Sequence, residues 1–428
     1  MAIDTKNIAT RARVEAGLTK RRRREIVFRM FGFSATAVGI VFLFAFLSSL
    51  AAQGSSAFVQ TFIELEIEFS EDILAPGGEL DVAYADFDSL SRNAMRERFP
   101  QITDRRERRS LNQLVSAGAG YQLRDMIVGD PGLLGTRQKV WLPASANVDM
   151  VVKGNIDREV EESRRPVSDL QISWIDALTA DGSISKKFNS ALFSNGDSRD
   201  PELAGIRGAF MGSFYMLVIT IALAFPIGTA AAIYLEEFAP RNRWADLVEV
   251  NINNLAAVPS IVFGLLGLAV FINWMSIPRS APLVGGLVLA LLTLPVIIIA
   301  SRAAIKSVPP SIREAALGLG ASRMQVVFHH VMPLAMPGML TGAIIGMSRA
   351  LGESAPLLMI GMVAFIVDVP AGFSDPATAL PVQVYLWADS PERAFAERTS
   401  AAIIVLLGFL LLMNLAAVIV RKRIERRW

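Results

Sequence analysis

The sequence predicts an all-α membrane protein with six transmembrane helices and an α+β domain inserted between the first and second helix. Three observations predict this class. The 428 residues are 52% hydrophobic and only 19% charged, whereas a soluble domain usually carries about 25% charged residues. Six segments are long and apolar enough to cross a bilayer. A long polar stretch with strand-like alternation separates the first two.

Each apolar segment predicts one transmembrane helix, because about 20 helical residues are needed to cross the hydrocarbon core. Lys20 and Arg21 to Arg24 precede the first segment as they would precede a signal peptide. Its apolar run of about 20 residues is longer than a signal core, so we expect an uncleaved anchor. The predicted spans are 31–52, 209–235, 251–274, 283–303, 337–366 and 400–420.

The basic residues predict the orientation, because short cytoplasmic loops are enriched in Lys and Arg. With the N-terminus in the cytoplasm, the outer short loops hold only Arg279, Arg393 and Arg398. Both termini are therefore expected to be cytoplasmic. The basic residues assigned to the inner side are the Arg-rich start, Arg241, Arg243, Arg302, Lys306, Arg313, Arg323, Arg421, Lys422, Arg423, Arg426 and Arg427.

The charge distribution predicts the domain organisation. Residues 1–53 carry about +6, residues 54–204 about −8 and residues 205–428 about +4. We expect a cytoplasmic basic N-terminus (1–30), the first transmembrane helix (31–52), a periplasmic inserted domain (53–204) and a membrane core (205–428) with five transmembrane helices.

Alternating apolar residues predict strands in the inserted domain, at 62–69, at Leu80 to Tyr84 and at Val148 to Val152. A charged pattern from Ser89 to Val115 predicts a helix. It contains Arg105, Arg106, Arg108 and Arg109, which we interpret as a solvated helix face rather than an anion site.

Composition excludes several classes of protein. The chain contains no cysteine, which excludes disulfides, a thiol nucleophile and iron–sulfur clusters. Its two histidines are adjacent, at 329 and 330, and we expect no metal site. No stretch matches the phosphate-binding pattern G-x-x-x-x-G-K-[ST], so any ATP must be bound by another subunit. Composition therefore favours a transporter or a membrane receptor over an enzyme, and we expect neither a cofactor nor a nucleic-acid partner for this chain.

The first functional motif is EAALGLGASRMQVVFHHVMP, at 314–333 between the predicted fourth and fifth spans. Glu314, Ala315 and Ala316 are expected to open a short amphipathic helix, Gly320 to permit a tight turn, and Pro333 to end the loop (304–334) before the next span. A helix-capping glutamate in an ordinary polar loop is the alternative.

The second motif is SRALGESAPLLMIG, at 348–361. Arg349 lies about eleven residues, or about 16 Å, into an apolar segment and so near the bilayer midplane. A charge at this depth is costly and normally faces a partner or a polar path. Glu353, one turn later, can pair with it. An ion pair that only fixes helix packing is the alternative.

The same segment carries small residues at a spacing of four, which allow another helix to approach closely. Arg349 and Glu353 border this stripe. In a dimeric permease that edge is a candidate for the pore. The stripe consists of Gly338, Gly342, Gly346, Ala350 and Ser354.

The loop motif resembles the EAA loop of ABC import permeases, which is a property of the whole superfamily. RALGESAPL, with VPSIVFGLLGL at 258–268 and LPVIIIASRAAIKSVPPSIREAALGLGAS at 294–322, is similar to the PstA-type permease subunit of the bacterial phosphate ABC importer. The resemblance covers roughly 205–428. His330 and Met332 depart from the aliphatic residue and the leucine usual in the family.

The resemblance implies a type I ABC importer (MetI-like) fold and a multi-pass protein of the bacterial inner membrane. It implies that Arg349 and Glu353 are the intramembrane pair associated with phosphate passage and that Arg302 is linked to transport, although inside-flanking charge explains Arg302 equally well. Glu314 and Gly320 match the ATPase-contacting loop. The implied partners are a second homologous permease, a cytoplasmic ATPase dimer and a periplasmic phosphate-binding protein.

Two other functions remain open from the sequence. One is an ABC importer permease for another oxyanion or small solute. The other is a membrane sensor whose outer domain binds a ligand. A sensor normally has a cytoplasmic output domain, but no predicted inner segment exceeds about thirty residues, so the importer is favoured.

Overall fold

A computed structural model of the chain describes residues 2–75 and 80–424. The chain divides into two compact units, Met1–Gln53 and Gly54–Trp428. Helix α1 (Ala2–Ser55) makes up the described part of the first unit, and its apolar side chains from Ile26 to Leu47 are exposed.

The second unit contains the remaining elements. The inserted region (54–204) holds strands β1 (Val59–Glu68), β2 (Arg137–Pro143) and β3 (Ile184–Phe188) and helices α2 (Glu71–Leu74), α3 (Phe87–Arg98), α4 (Arg105–Asn112), α5 (Gly118–Gly129), α6 (Ala146–Lys153), α7 (Asp169–Ala180) and α8 (Ala191–Ser194). The core (205–428) holds α9 (Arg207–Ile233), α10 (Arg243–Ala256), α11 (Ser260–Gly267), α12 (Pro282–Lys306), α13 (Pro310–Gly318), α14 (Arg323–Gln325), α15 (Met332–Gly352), α16 (Ala355–Met359), α17 (Leu380–Ala388) and α18 (Ala394–Ile424). Three π-helical turns follow α9, α11 and α14, at Tyr234–Phe238, Leu268–Trp274 and Val326–Val331.

The inserted region is organised around a three-stranded antiparallel sheet with β1 in the centre, in the order β2-β1-β3. Successive side chains of a strand point to opposite faces of a sheet. The alternation in β1 therefore buries Ile63, Leu65 and Ile67 against the surrounding helices and leaves Glu66 and Glu68 exposed. The strand predicted at 62–69 is thus confirmed.

The strand predicted over Val148 to Val152 is wrong, because these residues lie in α6. The helix begins after Ser145 in an extended conformation and ends at Gly154, whose φ of 81° closes it. A serine before a helix and a glycine after it favour helix at both ends. Val148, Met150 and Val151 are all buried, so a two-residue apolar period does not describe this segment.

The strand predicted over Leu80 to Tyr84 is also wrong. Asp81 accepts the N–H of Ala83 through its side chain, at 2.9 Å, and the N–H of Tyr84 through its carbonyl, at 3.2 Å. Such an aspartate-centred turn competes with strand pairing. The helix predicted from Ser89 to Val115 is present as two helices, α3 and α4, because α3 ends before Pro100 and Asp104 caps a new helix.

A buried ionic cluster joins the inserted region to the core. Lys153 of α6 lies 2.6 Å from both Asp149 and Glu397, and the three side chains are 5%, 9% and 10% exposed. Asp149 also accepts the N–H of Thr61 in β1, at 2.8 Å. The cluster therefore links the sheet, α6 and the first turn of α18.

Glu202 is a second buried acid at this junction and is only 6% exposed. Burial raises the pKa of its carboxyl, although hydrogen bonds from Ser116 and from the N–H of Ala146 oppose the shift. The carboxyl of Glu202 thus connects the start of α6 to the segment that leads into α9.

Among the described residues, five helices are long and apolar enough to cross a membrane. By length and composition they correspond to the predicted first, second, fourth and sixth spans and to the N-terminal part of the fifth. The five are Arg21–Phe58, Arg207–Phe238, Pro282–Lys306, Arg323–Gly352 and Ala394–Ile424.

The predicted third span is a bent pair of helices, α10 and α11 with its π-helical turn, which meet at an angle of 100°. The break lies at Val258 and Pro259. A proline restricts the residue before it to extended conformations, which ends α10. The described part of the chain therefore has up to six spans if the bent pair counts as one, and five of these lie in the core.

The predicted fifth span, 337–366, is wrong in its C-terminal part. Helix α15 ends at Gly352, Glu353 adopts an extended conformation, and Pro356 stands in the first turn of the short helix α16. Glycine followed by a nearby proline disfavours continuation of the helix. The chain then turns, and it reaches α17 only at Leu380.

Candidate functional site

The predicted charge pair is present at the end of α15. Nε of Arg349 lies 3.4 Å from Oε1 of Glu353, and the two side chains are 42% and 20% exposed. Glu353 is the residue that ends the helix rather than part of a continuing turn. The pair is therefore accessible, and the guanidinium has donors beyond the one that faces Glu353.

The predicted small-residue stripe packs against α12 of the same chain. A Cβ added at Gly338 would come within 2.6 Å of the Cβ of Ala304, and one added at Gly342 would overlap that of Ala300. At Gly346 the neighbours Ile297 and Thr293 are 3.6 Å away. The stripe thus allows α15 and α12 to approach closely.

The packing register between α15 and α12 determines where the charge pair lies along α12. Positions 338 and 342 lie opposite 304 and 300, so each step along α15 is matched by one step backwards along α12. Extended by seven residues, the register places Arg349 level with about residue 293, close to the middle of the 25-residue helix α12. Arg349 thus lies level with the middle of α12, and its predicted position near the bilayer midplane stays a prediction.

A polar contact beside Arg349 joins α15 to α18. Oγ of Ser348 donates to the carbonyl of Ile344 and lies 2.8 Å from Oδ1 of Asn414. Near the middle of α15, Nη1 of Arg421 donates to Oγ1 of Thr341, at 3.1 Å. Helix α15 is therefore held by α12 on its small-residue face and by α18 through polar side chains.

The coupling loop (304–334) contains the predicted short helix, but the helix begins earlier than expected. Helix α13 starts at Pro310, so Glu314 lies in its middle rather than at its start. Proline suits the first helical position because its missing N–H would have no partner there. Glu314 and Ala315 are exposed, whereas Ala316 is 5% exposed and packs with Val326 and neighbouring apolar residues.

The predicted turn at Gly320 is confirmed. Its φ is 85°, a conformation that favours glycine. Its N–H donates to Leu317, and the N–H of Ala321 donates to Ala316, which closes the C-terminus of α13. The turn leaves Leu319 90% exposed beside the exposed face of α13.

Pro333 does not end the coupling loop, which corrects the prediction. The helix already starts at Arg323, after a reciprocal pair of hydrogen bonds between Ser322 and Gln325. It passes through the π-helical turn Val326–Val331 directly before Pro333. This widened turn interrupts the α-helical pattern at the point where proline lacks an N–H.

Arg302 lies in an ion-pair network near the start of the coupling loop. Its guanidinium bonds to Glu236 through Nε and lies 2.7 Å from Glu249 through Nη2. Its side chain is 11% exposed, and Lys306 lies 3.4 Å from Glu236. Arg302 therefore connects α12 to the π-helical turn after α9 and to α10. Its predicted link to transport stays a prediction.

Arg313 extends this network into the coupling loop. It donates to Glu237, to the carbonyl of Val308 at 2.6 Å and to that of Ile305 at 3.0 Å. Sequence reasoning missed the acidic partners Glu236, Glu237 and Glu249. Glu236 and Glu237 are adjacent at the end of the second apolar segment, where the other flanking charges are basic. This acidic pair was the feature of the sequence that could have indicated the network.

Two family models match the chain. Residues 224–428 match "Binding-protein-dependent transport system inner membrane component". Residues 15–162 match "Domain of unknown function (DUF3333)". The two matches separate the core from most of the inserted region.

Curated proteins match up to about half of the chain. The phosphate transport system permease protein PstA 1 of Mycobacterium tuberculosis (H37Rv) is 31% identical over 223 residues, which are 52% of this chain and 71% of that protein. PstA of Haemophilus influenzae is 29% identical over 224 residues, 52% of this chain and 78% of that protein. The probable ABC transporter permease protein YqgI of Bacillus subtilis is 39% identical over 155 residues, and the chain spans about half, 52%, of its length.

Among solved structures, the inward-facing MetNI methionine ABC transporter is 21% identical, with a TM-score of 0.41 over 50% of this chain and 95% of that one. A bacterial ABC transporter for alginate import is 17% identical, with a TM-score of 0.38 over 51% of this chain and 79% of that one. The family assignment rests on the sequence matches.

Proposed function

We propose that this chain, which belongs to the PstA-type permeases among the binding-protein-dependent transport system inner membrane components, is the membrane-spanning permease subunit of an ATP-driven phosphate importer. In this proposal it forms the translocation path with a second, homologous permease subunit. It moves phosphate without breaking a covalent bond.

The observation that carries the proposal is the Arg349–Glu353 pair. A guanidinium offers donors in a planar fork that matches phosphate. Arg349 is 42% exposed at the mid-level of α12, so an anion within a membrane path can reach it. Glu353 competes with the anion for the guanidinium, and this competition makes binding transient enough for release.

The role that we propose for Arg302 differs from that of Arg349. Glu236 and Glu249 already pair with its charge, and its side chain is largely buried. An anion that reached it would have to compete with two carboxylates for the guanidinium. We therefore assign Arg302 to holding the coupling-loop ends of α9, α10 and α12 together, so that it contributes to transport through geometry rather than by direct phosphate contact.

The coupling loop supports an ATPase as the source of energy. Glu314, Ala315 and Leu319 are exposed on or beside α13, and an exposed amphipathic helix suits a groove on a partner protein. We propose a cytoplasmic ATPase dimer at this loop and a periplasmic phosphate-binding protein on the opposite side. The proposal places the chain in the inner membrane with both termini in the cytoplasm.

The closing and opening of the ATPases would tilt the helices around a site near the middle of the membrane, in an alternating-access cycle. An importer for another oxyanion is the second candidate, because a guanidinium fork also fits sulfate. Transport measurements with both anions separate the two candidates.

The test is ATP-dependent uptake in vesicles that contain the chain with its partner permease, ATPases and binding protein. We expect labelled phosphate, and not labelled sulfate, to accumulate. The matched variant Arg349→Met with Glu353→Leu should assemble and hydrolyse ATP but fail to accumulate phosphate. Wild-type uptake by this variant would refute the role of the pair, and uptake of sulfate alone would refute phosphate as the substrate.

A further inference from the structure

Three phenylalanine rings form a stack on the surface of the inserted region. The centroids of Phe58 and Phe193 are 5.9 Å apart with the rings 12° from parallel, and those of Phe193 and Phe188 are 5.9 Å apart at 4°. Phe188 is 65% exposed and Phe193 is 42% exposed. Two large apolar rings thus stand together on the outside of the fold rather than in its core.

The stack lies where the inserted region meets the membrane-crossing helices. Leu192, next to Phe193, is buried in one apolar cluster with Ala209 of α9 and Ala401 of α18. Ala401 is seven residues inside the start of α18, or about 10 Å along its axis. Leu192 is therefore buried in the same cluster as residues of the apolar helices, and Phe193 follows it directly in the chain.

Hydrogen bonds fix the stack at this level. The side-chain amide of Asn189 donates to the carbonyl of Ala57, at 2.9 Å, and the N–H of Ile206 donates to the carbonyl of Leu192, at 2.8 Å. Ile206 directly precedes α9. The segment that carries Phe188 and Phe193 is thus held between the start of the sheet and the start of a membrane-crossing helix.

The charges around the stack suit a lipid headgroup. Lys186 and Phe188 are two residues apart in β3 and so share one face of the strand, and both are exposed. Lys187, on the other face, lies 3.9 Å from the centroid of the Trp141 ring. Exposed aromatic rings beside a lysine match the boundary between acyl chains and anionic headgroups.

We propose that Phe188 and Phe193 insert into this boundary on the bilayer face next to the inserted region, while Lys186 contacts lipid phosphate. The stack is thus an interfacial anchor that seats the inserted region on the membrane. This inference depends on the membrane-crossing helices alone and goes beyond the identity of the transported anion.

The absence of cysteine from the chain makes a clean test available. A cysteine at the exposed Ser190, between the two rings, can carry a fluorophore while both phenylalanines stay intact. The full chain with its partner permease is reconstituted in vesicles of phosphatidylethanolamine and phosphatidylglycerol that carry a nitroxide at a shallow acyl position. The matched control carries the label at Tyr84, which is 89% exposed in the inserted region.

We expect the lipid nitroxide to quench the label at 190 and to leave the label at 84 unquenched. Phe188→Ser with Phe193→Ser should abolish most of the quenching at 190, and Lys186→Glu should weaken it in the anionic vesicles. A label at 190 that is quenched only by aqueous iodide would overturn the proposal. Protection from both quenchers would also overturn it, because the stack would then be covered by protein.

Discussion

Arg313 of the coupling loop donates hydrogen bonds from Nε and Nη2 to the same oxygen of Glu237, at 3.1 and 2.8 Å. The contact ties α13 to the π-helical turn after α9. Glu237 is 13% exposed and Arg313 is 23% exposed, so water screens this pair less than a surface pair. A force on α13 therefore reaches α9 through side chains as well as through the backbone.

We expect Arg313→Met to uncouple transport from ATP hydrolysis while the protein still inserts into the membrane, because Glu237 loses its partner and α13 loses its anchor. A charged hydrogen bond contributes about 1.5–3 kcal/mol, so phosphate uptake should fall about tenfold or more. The ratio of phosphate moved to ATP hydrolysed is the measurement. Arg323→Met, at an exposed arginine of the same loop, is the control and should keep a normal ratio. Equal effects of both changes would contradict the anchoring role.

We expect Arg349→Lys to assemble normally but to transport poorly. Lysine keeps the charge but lacks the fork that grips an oxyanion with two parallel hydrogen bonds. The loss of one charged hydrogen bond implies a decrease in the uptake rate of about 10- to 100-fold. Initial uptake rates at saturating phosphate measure this effect, and near wild-type rates would show that charge alone is sufficient.

We expect Gly342→Ala to destabilise the chain by about 1–3 kcal/mol, because its new methyl group would overlap Ala300 on α12. Gly346→Ala is the control, since its neighbours at 3.6 Å allow an ordinary contact. Adding Ala300→Gly to Gly342→Ala should restore the melting temperature in detergent. A double variant as unstable as the single one would show that the two positions do not meet.

We expect Gly320→Val to disturb coupling to the ATPase. A β-branched residue at a φ of 85° costs about 1–2 kcal/mol, so the turn after α13 would rearrange and move Leu319. Gly318→Ala is the control, because Gly318 lies in the helix with open space around it. Co-purification of the ATPase should decrease for Gly320→Val alone. Full co-purification with intact uptake would contradict a role for the turn.

We expect Glu202→Gln to change how stability depends on pH. Because burial raises the pKa of Glu202 in the folded state, the folded state keeps a proton that the unfolded state has already lost. The stability of the wild type should therefore fall as the pH rises from the ordinary pKa of glutamate to the raised value, and stay lower above it. The variant should lack this fall, and denaturant titrations across that range measure the difference. Parallel curves for both proteins would mean that Glu202 is not responsible.

Apolar run length predicted most of the membrane-crossing helices, because the requirement for about 20 helical residues acts on each segment alone. It failed where a local breaker acts inside an apolar run. Pro259 divides the third predicted span, and Gly352 with Pro356 ends the fifth. A hydropathy scale does not account for the missing N–H of proline or for the backbone conformations that proline restricts.

The candidate site was predictable only where its partners are close in sequence. Arg349 and Glu353 are one turn apart, so spacing alone brings them together. The partners of Arg302 are more than fifty residues away, and the α12–α9 packing that brings Glu236 to Arg302 is a tertiary contact. For the same reason the sequence did not predict the contact between Ser348 and Asn414.

The close packing of Gly338 and Gly342 on α12 has a mechanical consequence. The coupling loop (304–334) connects α12 to α15, and the two helices approach closely at these glycines. We therefore expect a push on the loop to tilt both helices together. Arg349 lies seventeen residues beyond Met332, so a tilt of about 10° at the loop would move its Cα by about 4–5 Å. A displacement of this size exceeds the length of a hydrogen bond, so under the proposed function we expect a modest movement at the loop to release an anion bound to Arg349.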